Sequence, residues 1–173
     1  HYVGNCSRKD MKPVGRSIIV SKHWWFNDGP ILDVHYMSRR VRPVIAADMY
    51  KHHKWTFDHL LAIPYDRETS SSDPKCFLEI INYLKAEGCV SIYPEGHIAK
   101  FNDGKFNQGA AYFSLVTNSP IHFYYMVNPW KMFRFNHIMI GETIRPSDFF
   151  TPEEIKDKAT IERYNEIVKE RFY

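Results

Sequence analysis

Residues 21 to 28 read SKHWWFND, which sets His23 and Asp28 five positions apart. An imidazole and a carboxylate are the parts of a general base. The carboxylate accepts the Nδ1 proton and holds one tautomer, leaving Nε2 free to take a proton near neutral pH. Neither regular structure brings the two together: five residues turn a helix roughly 140° away from the start, and an odd offset in a strand points side chains to opposite faces. They meet only where the chain bends. A bend is encoded here, because a β-branched run ends near Ser21 and Gly29-Pro30 opens a helix. Taken alone, the spacing is better explained by a loop histidine followed by a helix-capping aspartate, and only a second chemistry-bearing element changes that balance. Gly-x-Ser-x-Gly is absent, so the attacking group would come from the substrate, and a hydroxyl-bearing acceptor would serve.

The elements that must position this pair alternate along the chain. RSIIVS (16–21), PVIAAD (43–48), LLAIPYD (60–66), CVSIY (89–93) and PIHFYYMV (120–127) read as strands from their β-branched and aromatic content. Helical patterns separate them: ILDVHYMSRR after Gly29-Pro30, MYKHHKWTF, the stretch from Asp73 to Glu87, and NQGAAYFSLVTN. In the Asp73 stretch, Asp73 caps, Pro74 suits the first turn, Phe77, Ile80, Ile81 and Leu84 share a face, and Gly88 stops the helix. HIMIGETI (137–144) alternates and belongs at an edge. Thr151-Pro152-Glu153-Glu154 is a capping box for a last helix, about 151–172, that turns Ile155, Ala159, Tyr164, Ile167 and Val168 inward. The pattern predicts an α/β fold: a single domain over 1–173 in which a mixed, mostly parallel β-sheet is flanked by helices.

A chain of 173 residues is long enough to bury about 70% of its unfolded surface around one core. The net charge of +3 names no partner by itself. Basic residues do cluster, in Arg39, Arg40 and Arg42 and then Lys51, His52, His53 and Lys54, which suits an anionic membrane surface, a phosphorylated ligand or an acidic carrier protein. Aromatic rings are not regularly interleaved with these cations, which argues against nucleic acid. Cys6, Cys76 and Cys89 are odd in number and far apart, so neither a disulfide framework nor a zinc knuckle is expected and a reducing compartment fits. His52, His53 and His59 with Asp48 and Asp58 lack the His-Glu-x-x-His spacing of a zinc hydrolase, and no metal site is expected. No run of about 18 apolar residues is present and HYVGNCSRKD is not a signal peptide. The expected location is the cytoplasm, peripheral on a membrane, and a start at His1 leaves room for an anchor upstream.

A second chemistry-bearing stretch is SIYPEGHIAKFNDGKFNQGAA, 91–111. Together with SKHWWFND it resembles the glycerolipid acyltransferase family, which includes lysophosphatidic acid and glycerol-3-phosphate acyltransferases. That family's first block, His, four residues, Asp, is matched by His23 to Asp28. Its second, an arginine shortly after an apolar strand, is matched by Ile63-Pro64-Tyr65-Asp66-Arg67. Its third, Phe-Pro-Glu-Gly-Thr-Arg closing a strand, is matched by Tyr93-Pro94-Glu95-Gly96 and then departs to His97-Ile98. Its fourth, a strand led by proline, is matched by Pro120 to Val127, and the blocks keep the family's order over about 16–128.

The resemblance implies that His23, oriented by Asp28, deprotonates an acceptor hydroxyl that attacks an acyl-CoA or acyl-carrier-protein thioester, with no further cofactor. It implies that Glu95 and Gly96 lie on the acceptor, that Arg67 holds a phosphate through its planar fork, and that amides around Pro94-Glu95-Gly96 meet the oxyanion. His97-Ile98 removes one expected phosphate contact, for which Lys100 or Lys105 substitutes only as a point charge. The implied acceptor is a lysophospholipid or a glycerophosphate. Trp24 and Trp25 suit an acyl groove or a membrane interface, and Arg134, His137 and Arg145 are candidates to flank the donor's phosphates. Two rivals share these residues: a metal-dependent phosphoesterase with His23 and Asp28 as ligands, and a lipid-binding module of the same fold without turnover.

Overall fold

Short β-branched runs, too brief for helices, pair into one six-stranded sheet. The computed structural model describes residues 15–23, 41–66, 74–96, 105–127 and 137–173. Its strands are β1 (Ser17–Ser21), β2 (Val41–Ala46), β3 (Ile63–Tyr65), β4 (Cys89–Ile92), β5 (Ile121–Val127) and β6 (His137–Ile144), in spatial order β3-β2-β4-β1-β5-β6. The first five run parallel and β6 returns antiparallel at the edge beside β5. β1 and β4 are buried at every position, as expected of central parallel strands covered on both faces.

The helices are α1 (Ala47–His52), α2 (Lys54–His59), α3 (Pro74–Lys85), α4 (Gly109–Thr117) and α5 (Lys158–Phe172). One face of the sheet, carrying Ile18, Val20, Val90, Ile92, Ile121 and Phe123, packs with Ile80 and Leu84 of α3, Phe113 and Leu115 of α4, and Tyr164 and Val168 of α5. The opposite face gathers Ile19, Val41, Cys89 and Tyr124 into a second buried cluster, against which Tyr93 and Ile140 pack. Side chains alternate along each strand, so neighbouring residues of β1 feed different clusters.

Several boundaries differ from the sequence reading, for local reasons. MYKHHKWTF belongs to two helices, because His53 (φ −125°, ψ 38°) leaves the helical region between them. β2 gives up Ala47 and Asp48 to α1, and β3 keeps only three of the seven residues of LLAIPYD because Leu60 and Leu61 finish α2. The Thr151 capping box forms, with the Thr151 amide donating to Glu154 Oε2 at 3.0 Å, but it starts a separate 3-10 turn, Glu154–Lys156. α5 begins afresh at Asp157, whose Oδ1 accepts the Ala159 amide at 3.1 Å. That restart rotates the inward face to Thr160, Tyr164, Asn165, Val168 and Phe172, and Ala159, expected inward, is exposed. The helix expected after Gly29-Pro30 and the Asp73 cap lie outside the described residues.

Candidate active site

The chain leaves β1 for β2 in one direction across the sheet and leaves β4 for β5 in the other. β1 and β4 are neighbours, so their carboxyl ends form a topological switch point, where open α/β sheets leave a crevice for ligands. Val20 pairs with Ile92 in parallel register. His23 and Glu95 each lie three residues beyond that pair, at the same edge.

His23 is half-buried, and its ring lies against that of Tyr93, centroids 4.6 Å apart and planes 32° from parallel. The contact braces the imidazole on one side without sealing it from solvent. Tyr93 follows the last residue of β4, and Pro94 keeps the ladder from resuming because it carries no N–H. The turn that follows is closed by the Gly96 amide donating to the Tyr93 carbonyl at 3.0 Å. Gly96 sits at φ +68°, where a side chain is disfavoured. Asn107 clamps the turn from outside: both its backbone amide and its side-chain Nδ2 donate to the Pro94 carbonyl at 2.8 Å.

The turn drives Glu95 inward, and only 1% of its surface is exposed. Its Oε1 accepts a hydrogen bond from the Tyr173 hydroxyl at 3.2 Å. The Lys22 ammonium stands 5.2 Å from the centre of the Tyr173 ring, a cation–π contact that joins the residue before His23 to the residue bonded to Glu95. Phe106 and Phe172 pack edge to face at 5.4 Å beneath.

The structure thus brings His23, Glu95 and Gly96 to one sheet edge, and Lys105 is exposed two residues ahead of the Asn107 clamp. Asp28, Arg67, Lys100, His97-Ile98, Trp24-Trp25 and Arg134 lie outside the described residues. β3, which precedes Arg67, stands three strands from β1, about 14 Å across the sheet at ~4.8 Å per strand. Two expectations are narrowed. Pro94 has no N–H and the Gly96 N–H is committed to the Tyr93 carbonyl, so neither meets an oxyanion in this conformation. Arg145 cannot join His137 at one ligand: β6 starts beside Val127 at the reactive edge and ends beside Ile121 at the other, which puts Arg145 there. Among the described residues no three His, Cys, Asp or Glu side chains stand together to hold a metal. Asn107, Lys22 and Tyr173 escaped the sequence reading; only Asn107, beside the recognised Pro94-Glu95-Gly96 turn's downstream stretch, carried any local signal.

Such an edge, with a braced imidazole and a buried carboxylate three residues beyond paired strand positions, suits proton transfer next to a polar ligand group. Comparison with known proteins agrees in fold. No curated protein sequence matches the chain. The crystal structure of the 1-acyl-sn-glycerophosphate (LPA) acyltransferase PlsC from Thermotoga maritima is similar, with a TM-score of 0.59 and 17% sequence identity over 96% of this chain and 72% of that one. The family model described as Acyltransferase matches residues 5–127, which include both strand ends of the site and well over half of the sequence. The chain belongs to the Acyltransferase family.

Proposed function

We propose that this protein moves a fatty acyl group from an acyl-CoA or acyl-carrier-protein thioester to a hydroxyl of a lysophospholipid-like acceptor. In the proposed reaction His23 takes the acceptor's proton as its oxygen attacks the thioester carbonyl. The tetrahedral adduct then expels the thiolate, which recovers the proton from the imidazolium. No acyl-enzyme forms, in keeping with a sequence that has no nucleophile elbow. Asp28 orients the imidazole, Glu95 and Gly96 lie on the acceptor, and Arg67 with Lys100 or Lys105 holds its phosphate. The observation that carries the reading is His23 beside the Tyr93-Pro94-Glu95-Gly96 turn at the switch point of an Acyltransferase-family sheet.

Peripheral attachment to a membrane belongs to the same proposal. No helix among the described residues is long and apolar enough to span a bilayer. Trp55 is 75% exposed on α2, next in sequence to Lys54 and four residues after Lys51, a composition that suits entry into a headgroup layer.

Purified protein assayed with both thioester types against a panel of lysolipids and simple alcohols, with free thiol as the readout, tests the reaction. Loss of a general base typically costs 10²–10⁴-fold in rate, so His23→Ala should lose at least about a hundredfold. Its thermal midpoint should hold, because the side chain is half-buried at a strand end. Full activity in His23→Ala, or a wild type inert with every pair, would overturn the reading; inertness with retained lysolipid binding favours the non-catalytic module.

A further inference from the structure

Glu95 owes part of its setting to a residue 78 positions away. A carboxylate with 1% of its surface exposed must be met by donors inside the protein, and Tyr173 supplies one through its hydroxyl, 3.2 Å from Oε1. The helix end that carries this donor is anchored. Phe172 is 3% exposed, the Tyr125 hydroxyl donates to the Arg171 carbonyl at 2.9 Å, and the Arg171 guanidinium reaches Glu142 at 2.9 Å.

The Tyr173 ring is held in turn. Phe172 meets it edge to face at 5.1 Å, Phe106 stands 6.2 Å away, and the Lys22 ammonium lies 5.2 Å from its centre. Lys22 adjoins His23, and Phe106 adjoins the Asn107 that clamps Pro94. One phenol therefore touches the segment that carries the imidazole and the carboxylate on the next strand. It also remains 62% exposed, so its outer edge borders the solvent from which a ligand of Glu95 must come.

We propose that Tyr173 is a positioning residue for acceptor binding: its hydroxyl aims the Glu95 carboxylate, and its ring keeps the Lys22-His23 segment in register with the Pro94-Glu95-Gly96 turn. The inference rests on the acyl-transfer reading for the role of Glu95. It differs from plain helix anchoring, which the apolar Phe172, the Tyr125 hydroxyl and the Arg171–Glu142 pair accomplish without the Tyr173 hydroxyl.

Tyr173→Phe isolates the proposal, since it keeps every ring contact and deletes one hydroxyl. Hydrogen bonds to charged groups are worth enough to change affinity about tenfold. The acceptor KM should rise by about that factor with the donor KM within about twofold of wild type, and the thermal midpoint should fall by only a few degrees, because a buried carboxylate loses one of its donors. In a Glu95→Gln background the same change should add little, because the two groups act as one unit. An unchanged acceptor KM, or equal rises for donor and acceptor, overturns the proposal. Calorimetric binding of monomeric 1-oleoyl-lysophosphatidate to wild type and Tyr173→Phe separates the two readings. If neither turns over but the variant binds more weakly, acyl transfer fails and the positioning role stands. Equal binding, or none by the wild type, removes the positioning role too.

Discussion

Gly96 shows how much of the site hangs on one backbone angle. At φ +68° a Cβ is strained in itself, and here it would also lie 2.9 Å from Asn107 Nδ2, the atom that holds the Pro94 carbonyl. Alanine therefore meets a left-handed penalty of about 1–2 kcal/mol and pushes the clamp off its acceptor. Gly96→Ala should lower the thermal midpoint by roughly 2–8 °C, read by calorimetry, and should reduce acyl transfer further than that instability explains. The roles of His23, Glu95 and Gly96 come from the family resemblance, but their place at strand ends was legible in the sequence, because a strand pattern breaks at each. The hydroxyl of Tyr173 was not, because nothing near residue 173 marks a partner 78 residues upstream.

At the scale of elements, three helices end in the same way. α2, α3 and α4 are followed by Leu61, Glu87 and Asn118 at φ 51°, 60° and 49°. In each the next amide bonds back five residues, Ala62 to Phe57, Gly88 to Tyr83 and Ser119 to Ser114, which is the Schellman arrangement. The glycine expected to stop α3 is thus one position past the left-handed residue. It is required for a different reason: a Cβ on Gly88 would sit 2.5 Å from the Tyr83 carbonyl oxygen. Glu87 takes the strained angle instead and accepts the Arg16 amide and Nε at 2.8 and 3.0 Å. Two opposite outcomes follow. Leu61→Gly relieves left-handed strain, less the added freedom of the unfolded chain, and should gain about 0.5–1 kcal/mol. Gly88→Ala overpacks backbone and should lose about 1–3 kcal/mol. Urea midpoints of both variants check the signs.

For the whole molecule, the apolar cluster between sheet and helices encloses a polar seam. Tyr164 of α5 is fully buried there with its hydroxyl 3.4 Å from Ser114 Oγ of α4. Burial pushes its phenol well above the ordinary value of 10, with the nearby Asp148 carboxylate adding to the shift. A phenol that resists ionisation only in the folded state contributes stability that is complete below pH 10 and lost as pH rises beyond it. The loss is about 1.4 kcal/mol per pH unit until the folded value is reached. Tyr164→Phe should flatten this alkaline slope, and urea midpoints between pH 9 and 11 measure it as the difference between the two proteins. An identical slope in both would refute the assignment.

Among the described residues the sequence alone determined the succession of strands and helices, the edge position of the last strand and the placing of His23 and Glu95 at strand ends. These follow from side-chain periodicity and chain-breaking residues, which act over a few positions. Tertiary structure alone decided the strand order. Inserting β4 between β2 and β1 brings His23 and Glu95 to one edge, and docking α5 on the sheet delivers the Tyr173 hydroxyl to Glu95. Those outcomes depend on which apolar faces are buried together across long stretches of chain, and no local pattern carries that choice.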